Sequence, residues 1–335
     1  MPCILLTGGF GYIGSHTATI LSENNQEFVI VDNFKNCKRD IVDRLKKITN
    51  KKITFYNCDI RNTQSLIKII KENKITSVIH FAALKSVPDS ILEPLEYYEV
   101  NVNGTISLLK AMKLTGVKKF IFSSSAAVYG EPDSCPINEN HALKPLNPYA
   151  NTKILIENIL KDIVKADNDW SISCLRYFNP IGSHSTGLIG DDPLSGKNIN
   201  LMPEIIKSVK GLRKYLNVFG DDYKTLDGTG IRDYIHIMDL SEAHVKALAF
   251  VHKNPGINFF NIGTGKGVSV LELIKAFENV SGIDVPIKIL KRREGDCAVC
   301  YANPQKANDK LNWYAKYDLT QMCESAWEFA KNYSK

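Results

Sequence analysis

Residues 7–16 read TGGFGYIGSH, directly after the apolar run CILLT at 3–7. The run has the length and composition of a buried strand, and the glycines open a helical stretch. Gly8 permits the tight turn, Gly11 lets the backbone approach a pyrophosphate, and Gly14 lets the helix pack on the strand. The helix N-terminus then faces the phosphates. The next strand, EFVIVD at 27–32, ends on Asp32, 18 residues after Gly14. A carboxylate there accepts hydrogen bonds from ribose hydroxyls and repels a 2′-phosphate, which favours NAD over NADP. The alternative is a glycine-rich structural turn with no ligand. Strand, helix and acid in this order separate the two.

Outward from this turn the chain alternates short apolar runs with amphipathic segments. ITFYNCD (53–59), SVIHFAA (77–83), KFIFSSS (119–125) and SISCLRYF (171–178) read as further buried strands, and TQSLIKIIKEN (63–73) as a helix between two of them. Strand–helix repetition predicts a parallel sheet covered on both faces. The expected fold is therefore α/β, a doubly wound parallel-sheet Rossmann domain with a smaller C-terminal substrate-binding lobe. The boundary falls near residue 180: 1–180 for the first unit and 181–335 for the second, with segments around 233–262 packing back onto the sheet. The long stretch GSHSTGLIGDDPLSGKN (182–198) predicts binding loops.

Composition narrows the function classes. The net charge of +6 (42 basic, 36 acidic residues) is spread along the chain, and its densest knot, KRR at 291–293, is too short for a nucleic-acid surface. No apolar run approaches 18 residues, so no membrane span is expected, and CILLT running straight into the glycine turn leaves no leader pattern. Eight scattered cysteines follow no disulfide framework; only Cys297 and Cys300 form a CxxC, without the second pair or histidines of a zinc site. The seven histidines show no ligand spacing, so no metal is expected. These features point to a reduced, cytoplasmic protein.

Of 14 tyrosines only Tyr149 has a lysine four residues on, Lys153, in PYANTK, and Pro148 suits a helix start. Residues at this spacing share a helical face, with Cβ atoms about 5–6 Å apart. A phenol with a pKa near 10 is a poor base at neutral pH; an ammonium and an oxidised nicotinamide nearby favour phenolate. Lowering it by about 3 units takes about 4 kcal/mol. A surface Tyr–Lys pair is the alternative, and the NAD fingerprint with the serine-rich strand end at 123–125 argues against it.

The GxxGxxG spacing resembles the short-chain dehydrogenase/reductase superfamily, and CDI (58–60), FAALK (81–85) and VNVNGT (100–105) resemble motifs of its extended branch. The resemblance implies cofactor contacts from Gly8, Gly11, Tyr12, Ile13, Gly14, Asp32 and Asn33. It adds Asp59 and Ile60 at the adenine, then Phe81, Ala82, Ala83 and Lys85 along the cofactor. Asn101 would brace the active site, with Ser123, Tyr149, Lys153 and Phe178 completing the set. In dehydratases of this superfamily the stretch equivalent to FSSSAAVYG (122–130) looks like Thr-Asp-Glu-Val-Tyr-Gly, and related decarboxylases keep a glutamate there. Here Ala126 and Ala127 stand instead, and alanine cannot shuttle a proton. Ser125, Tyr149, Lys153 and NAD can remove a hydride and a hydroxyl proton from a carbinol and return them, but cannot eliminate water.

Together with PLEYYEVNVNGT, LRYFNPIGSH, DGTGIRDYIHIMDL and RREGD, these motifs resemble the UDP-glucose 4-epimerases from residue 3 to beyond 300. The resemblance implies that Tyr149 takes the C4-hydroxyl proton, Ser125 holds and relays at the same oxygen, and the C4 hydride leaves to a retained NAD. A 4-keto sugar then turns over before the return step. UDP would be held by Asn179, Asn200, Leu201, Val218, Phe219, Arg232 and Arg293, with Asp296 at the ribose; two arginines suit a diphosphate. Alternatives are an exposed Arg293 and an Arg232–Asp233 ion pair. One departure from the family is Ala127, where Thr or Ser is usual.

Cys300 falls where many family members have a tyrosine that closes the sugar pocket, which implies room for an acetamido group and turnover of UDP-GlcNAc/UDP-GalNAc beside UDP-Glc/UDP-Gal. A small packing residue, or a thiol pair with Cys297, are the other readings of that position. The resemblance further implies a homodimer through helices near 92–115 and 149–165. The rivals are a dehydratase, decarboxylase or dehydrogenase on the same scaffold, and a non-catalytic NAD-sensing protein, which would be expected to lose the Tyr–Lys pair.

Overall fold

The computed structural model describes residues 2–193, 200–293 and 296–332. The first half runs β1 (Cys3–Thr7), α1 (Tyr12–Glu23), β2 (Glu27–Asp32), α2 (Ile41–Thr49), β3 (Phe55–Asn57), α3 (Thr63–Glu72), β4 (Ile75–His80), α4 (Val87–Leu92), α5 (Pro94–Tyr97), a π-helical turn (Tyr98–Asn103), α6 (Gly104–Thr115) and β5 (Lys119–Ser125). After a 3₁₀ turn at Ala126–Tyr129 come α7 (Pro148–Ala166), β6 (Ser171–Tyr177), β7 (Asn179–Ile181), α8 (Leu201–Val209), β8 (Leu216–Phe219), β9 (Ile231–Arg232), β10 (Tyr234–His236) and α9 (Ile237–Val251). The chain ends with β11 (Gly256–Ile262), β12 (Val268–Ser269), α10 (Val270–Ser281), β13 (Ile287–Leu290), β14 (Val299–Cys300), α11 (Gln305–Leu311) and α12 (Leu319–Asn332).

Seven strands form one parallel sheet in the order β11-β6-β5-β4-β1-β2-β3. Its central residues, among them Leu5, Val78, Phe120 and Ile172, are fully buried between helical layers; each contributes about 1.5–3 kcal/mol on burial. The order reverses at β1, which has β2 on one side and β4 on the other. In open α/β sheets this switch point is where the strand ends part and leave a crevice. The smaller sheets β10-β7, β12-β9-β14 and β13-β8 build the other lobe, where α8, α10 and α12 pack Met202, Ile205, Leu273, Phe277 and Met322 together.

Some sequence expectations shift. The run at 53–59 is a strand only over Phe55–Asn57, because it is the sheet edge and pairs with β2 alone. β4 stops at His80 because Phe81 N and Ala82 N both turn to donate to Thr7 O, at 2.9 and 3.0 Å, which carries the chain over the glycine turn. Within 182–193 the expected loop holds a Ser183–Gly190 bridge; residues 194–198 of that expectation lie outside the described residues. The helical region near 92–115 is not continuous: α4, α5 and α6 are separated by Glu93 and the π-helical turn.

Helix α7 starts where Asn147 accepts the Ala150 amide at 2.9 Å and Pro148 takes the first helical position. One polar network fixes it to the sheet. Arg176 of β6 makes a two-pronged bond to Glu157 of α7, Nε to Oε1 at 2.9 Å and Nη2 to Oε2 at 2.7 Å, with exposures of 3% and 0%. Ser124 Oγ donates to the same carboxylate at 2.7 Å, and Arg176 Nη1 reaches Tyr129 Oη at 2.9 Å, which donates to Asn261 Oδ1. Removing one partner of such a pair strands a buried charge, at a cost of about 3–5 kcal/mol. Arg176→Met should therefore lower the unfolding free energy by about that amount, and Glu157→Leu/Arg176→Met should recover most of it. Urea midpoints check this; a single variant as stable as the parent would mean the pair does not hold α7.

Candidate active site

The glycine turn sits at the switch point. Gly8 has φ +68, and a Cβ there would stand 2.6 Å from Ala82 N; a Cβ on Gly14 would stand 2.6 Å from Gly8 O. Those two positions admit only glycine. At Gly11 a Cβ would meet nothing closer than Gly8 O at 3.3 Å, so the turn is open on its outer side. No side chain caps α1 and its first turn carries no acid. The amides of Tyr12, Ile13 and Gly14 precede the first intrahelical bond, Ser15 N to Gly11 O, in a cradle that a pyrophosphate would fit. Asp32, 8% exposed, accepts Phe10 N at 3.0 Å and Phe34 N at 2.8 Å and keeps lone pairs for ribose hydroxyls. Burial pushes its carboxyl above the ordinary value, against those amide bonds. These groups fit NAD.

The remaining expected cofactor residues divide. Asn33 donates to Asp59 Oδ2 at 3.2 Å, and Arg61 grips both oxygens of Asp59, holding its carboxyl down to about 2. Ile60 is buried in the core against Gly104, so only its backbone can face a ligand. Tyr12 commits its hydroxyl to Gly182 O at 2.7 Å, tying α1 to the other lobe. Phe81 packs against His244 at 4.8 Å between ring centres, with Ala82 and Ala83 half-buried beyond it. Lys85 is exposed, 3.9 Å from Asp191. Phe178 is buried beside Ala126, Val128 and Tyr129.

Strand alternation sorts the three serines ending β5. Ser124 faces α7 and donates to Glu157, while Ser123 and Ser125 point to the other face; α7 meets them at the strand end, Lys153 through the Ser123 carbonyl and Tyr149 beside Ser125. Ser125 lies within reach of the Tyr149 phenol and accepts Ala127 N at 3.2 Å. Burial raises the phenol above its ordinary value and the Ser125 hydroxyl opposes this. Lys153 is 3% exposed; its Nζ donates to Ser123 O at 2.7 Å and lies 5.0 Å from the Phe122 ring centre and 5.7 Å from that of Tyr149. Burial lowers this ammonium to about 7, with Glu157 opposing. The lysine thus faces the phenol through space, while its hydrogen bond goes to the strand.

Asn101 braces the site from the π-helical turn: Oδ1 accepts Leu84 N at 2.8 Å, and Nδ2 donates to Leu84 O and to Thr152 Oγ1. Thr152 in turn donates to Tyr149 O. Behind Ser123 stands Tyr177, bonded to His244 Nε2, whose Nδ1 is satisfied by Leu240 O at 2.8 Å. Thr152, Tyr177 and His244 escaped the sequence reading because their partners lie far along the chain.

In the smaller lobe, Asn179 exposes its side chain on β7, Asn200 precedes Leu201 at the start of α8, and Phe219 ends β8. Val218 is 1% exposed within the lobe core and offers only backbone. Arg232 on β9 lies opposite Cys300 on β14. No Arg232–Asp233 pair forms: the Asp233 carboxylate accepts Thr264 N and Oγ1, Gly265 N and Ala302 N, at 2.6 to 3.1 Å. Arg293 stacks 4.5 Å from the Phe219 ring centre and donates to Asp296 Oδ2 at 3.0 Å. Tyr223, found only in the structure, lies among Arg232, Arg292, Arg293 and Asp296; burial and Asp296 raise its phenol while the arginines oppose. Among the described residues no cluster could hold a metal ion, and no helix is long and apolar enough to cross a membrane.

Comparison with known proteins bears on this site. Residues 5–326 match the family profile described as GDP-mannose 4,6 dehydratase. The chain is 49% identical over 326 residues, 97% of its own length and 96% of the relative's, to the UDP-glucose 4-epimerase of Bacillus subtilis (strain 168). Among solved structures it resembles a UDP-glucose 4-epimerase from Stenotrophomonas maltophila with bound NAD and formylated UDP-arabinopyranose, at TM-score 0.96, 44% identity and coverage of 99% and 98%. It also resembles the Bifidobacterium longum enzyme in complex with NAD+ and UDP, at TM-score 0.95, 43% identity and coverage of 98% of both chains.

The depressed value of Lys153 has a signed consequence for folding. Its folded value of about 7 lies below the ordinary 10.5, so the folded chain binds fewer protons between the two and gains stability as pH rises through that window. Cofactor-free protein should gain up to about 4–5 kcal/mol over its Lys153→Met variant between pH about 7 and about 10. Denaturant midpoints measured across that range check it; a flat difference would mean the ammonium is solvated.

Proposed function

The chain belongs to the UDP-glucose 4-epimerase family, and from that premise we infer that it interconverts UDP-galactose and UDP-glucose as an NAD-dependent isomerase. The observation that carries the reading is the pairing of Ser125 with Tyr149 beside buried Lys153, with alanine at 126 and 127 where a dehydratase needs acids. NAD, held by the glycine turn and Asp32, supplies the acceptor for the C4 hydrogen and its return. Tyr149 takes the C4-hydroxyl proton, and Ser125 holds the same oxygen. Lys153 keeps positive charge near the phenol as it ionises. With no acid to protonate a leaving hydroxyl, the 4-keto sugar is not dehydrated. It turns about its diphosphate, and Tyr149 returns the proton with the other face presented. Arg232 and Arg293 grip the diphosphate while the sugar is held loosely.

The N-acetylated sugars UDP-GalNAc and UDP-GlcNAc are substrates too in this reading. Its support is Cys300, a small side chain packed against the cluster of Ala126 and Phe178. A homodimer is supported by exposed Ile91, Leu92 and Leu95 on α4 and α5 and Leu155 on α7, which packs against both. Light scattering should return twice the chain mass of 37.5 kDa, and a single mass would remove the dimer. Residence in the cytoplasm is supported by eight cysteines that are all free.

The test is direct. Purified protein with no added cofactor should convert both UDP-galactose and UDP-GalNAc, resolved by chromatography. Tyr149→Phe should lower kcat by about 10²–10⁴, and Cys300→Tyr should lose the N-acetyl activity alone. Turnover of UDP-galactose only would sink the open pocket; no turnover of either, even with NAD supplied, would sink the epimerase.

A further inference from the structure

Three thiols converge on Arg232, and the proton relay uses none of them. β14 pairs with β9 so that Cys300 lies opposite Arg232, and Asp233 N closes the register by donating to Cys300 O at 3.1 Å. Cys297, three residues earlier, returns to the same place, its thiol within interaction range of that of Cys300, with Arg232 within electrostatic reach of both. Cys135 approaches from the other side, its Sγ 3.6 Å from Val299 O. All three are free and only partly buried.

We propose that Cys297 and Cys300 form a redox modification site, in which the Cys297 thiolate beside Arg232 attacks a hydroperoxide and Cys300 resolves the product as a disulfide. The thiolate attacks the terminal peroxide oxygen; the O–O bond breaks, Cys297 becomes a sulfenic acid, and the departing alkoxide, or hydroxide from hydrogen peroxide, takes a proton as an alcohol or water. The Cys300 thiol then attacks the sulfenic sulfur; the S–S bond forms, and hydroxide leaves with the thiol proton as water. Two thiols are oxidised by two electrons and one hydroperoxide is reduced by two.

The environment divides the roles. The neighbouring Cys300 thiol and the Arg232 charge hold the Cys297 thiol below the ordinary range, against burial. The Cys297 thiol, with burial, pushes Cys300 up, so it stays protonated until a sulfenic acid forms beside it. On the proposed function, Arg232 also holds the substrate diphosphate. Bound UDP then withdraws the guanidinium from Cys297 and slows the oxidation.

Purified holoenzyme is treated with one equivalent of hydrogen peroxide, with and without UDP; remaining thiols are alkylated and tryptic peptides are weighed. Trypsin releases residues 294–306 as one peptide that holds both cysteines. The expected result is loss of two hydrogens from that peptide, ahead of oxidation at Cys3, Cys58 or Cys323, reversed by a dithiol. Cys300→Ser should halt at a Cys297 sulfenic acid trapped by dimedone, whereas Cys297→Ser should slow oxidation at position 300 at least about tenfold. Oxidation of Cys297 no faster than in the unfolded chain, or a Cys297–Cys135 cross-link, would overturn the proposal. A disulfide that forms at the same rate with UDP present would uphold the thiol pair and remove Arg232 from the diphosphate site.

Discussion

The buried Arg176–Glu157 pair is the constraint on which the site depends. It joins β6 to α7 through two parallel bonds, and Ser124 adds β5 to the same carboxylate. The three elements that carry Ser125, Tyr149 and Lys153, or support them, are therefore fixed by one charged group in a dry interior, where a misplaced partner is costly. Glu157 is also one turn beyond Lys153, and its charge is the influence that opposes loss of the lysine proton. One carboxylate thus positions the helix and tempers the electrostatics of the residue above it.

The smaller lobe is fastened by a different carboxylate. Asp233, between β9 and β10, gathers amides from 264–265 and from Ala302, so the strand bearing Arg232, the segment after β11 and the segment after β14 meet at one point. Tyr12 to Gly182 adds a bond from the glycine-turn helix into the same lobe. The glycine turn, the Ser125–Tyr149–Lys153 group and the arginine cluster are thereby held by short connections made of hydrogen bonds and not by apolar contact alone.

Much of this was legible in the sequence. Parallel strands buried on both faces read as uninterrupted Ile/Val/Phe runs, and glycines that admit no Cβ leave a spacing that survives in any context. Tyr149 and Lys153 were legible because a helix fixes what four residues apart means. What stayed hidden depends on pairs distant in sequence. Nothing near Asn101 announces Thr152, and nothing near Tyr177 announces His244. Ile60 and Val218 sit beside site residues while their side chains turn into the core, because a motif match does not say which face a strand presents. Asp233 follows Arg232 directly yet points away from it, as alternation along an extended segment requires.

The π-helical turn at Tyr98–Asn103 has a consequence for the reading frame of the chain. A regular α-helix advances by about 100° per residue, so a π turn amounts to one residue too many for the spacing on either side. Asn101 sits in that surplus, and its amide holds Leu84 and Thr152 at once. Deleting one of the other residues in 98–103 would regularise the helix and swing Asn101 about a quarter turn from both partners. The length of this segment is therefore counted by the active site, and a change that suits the helix best would suit the enzyme least.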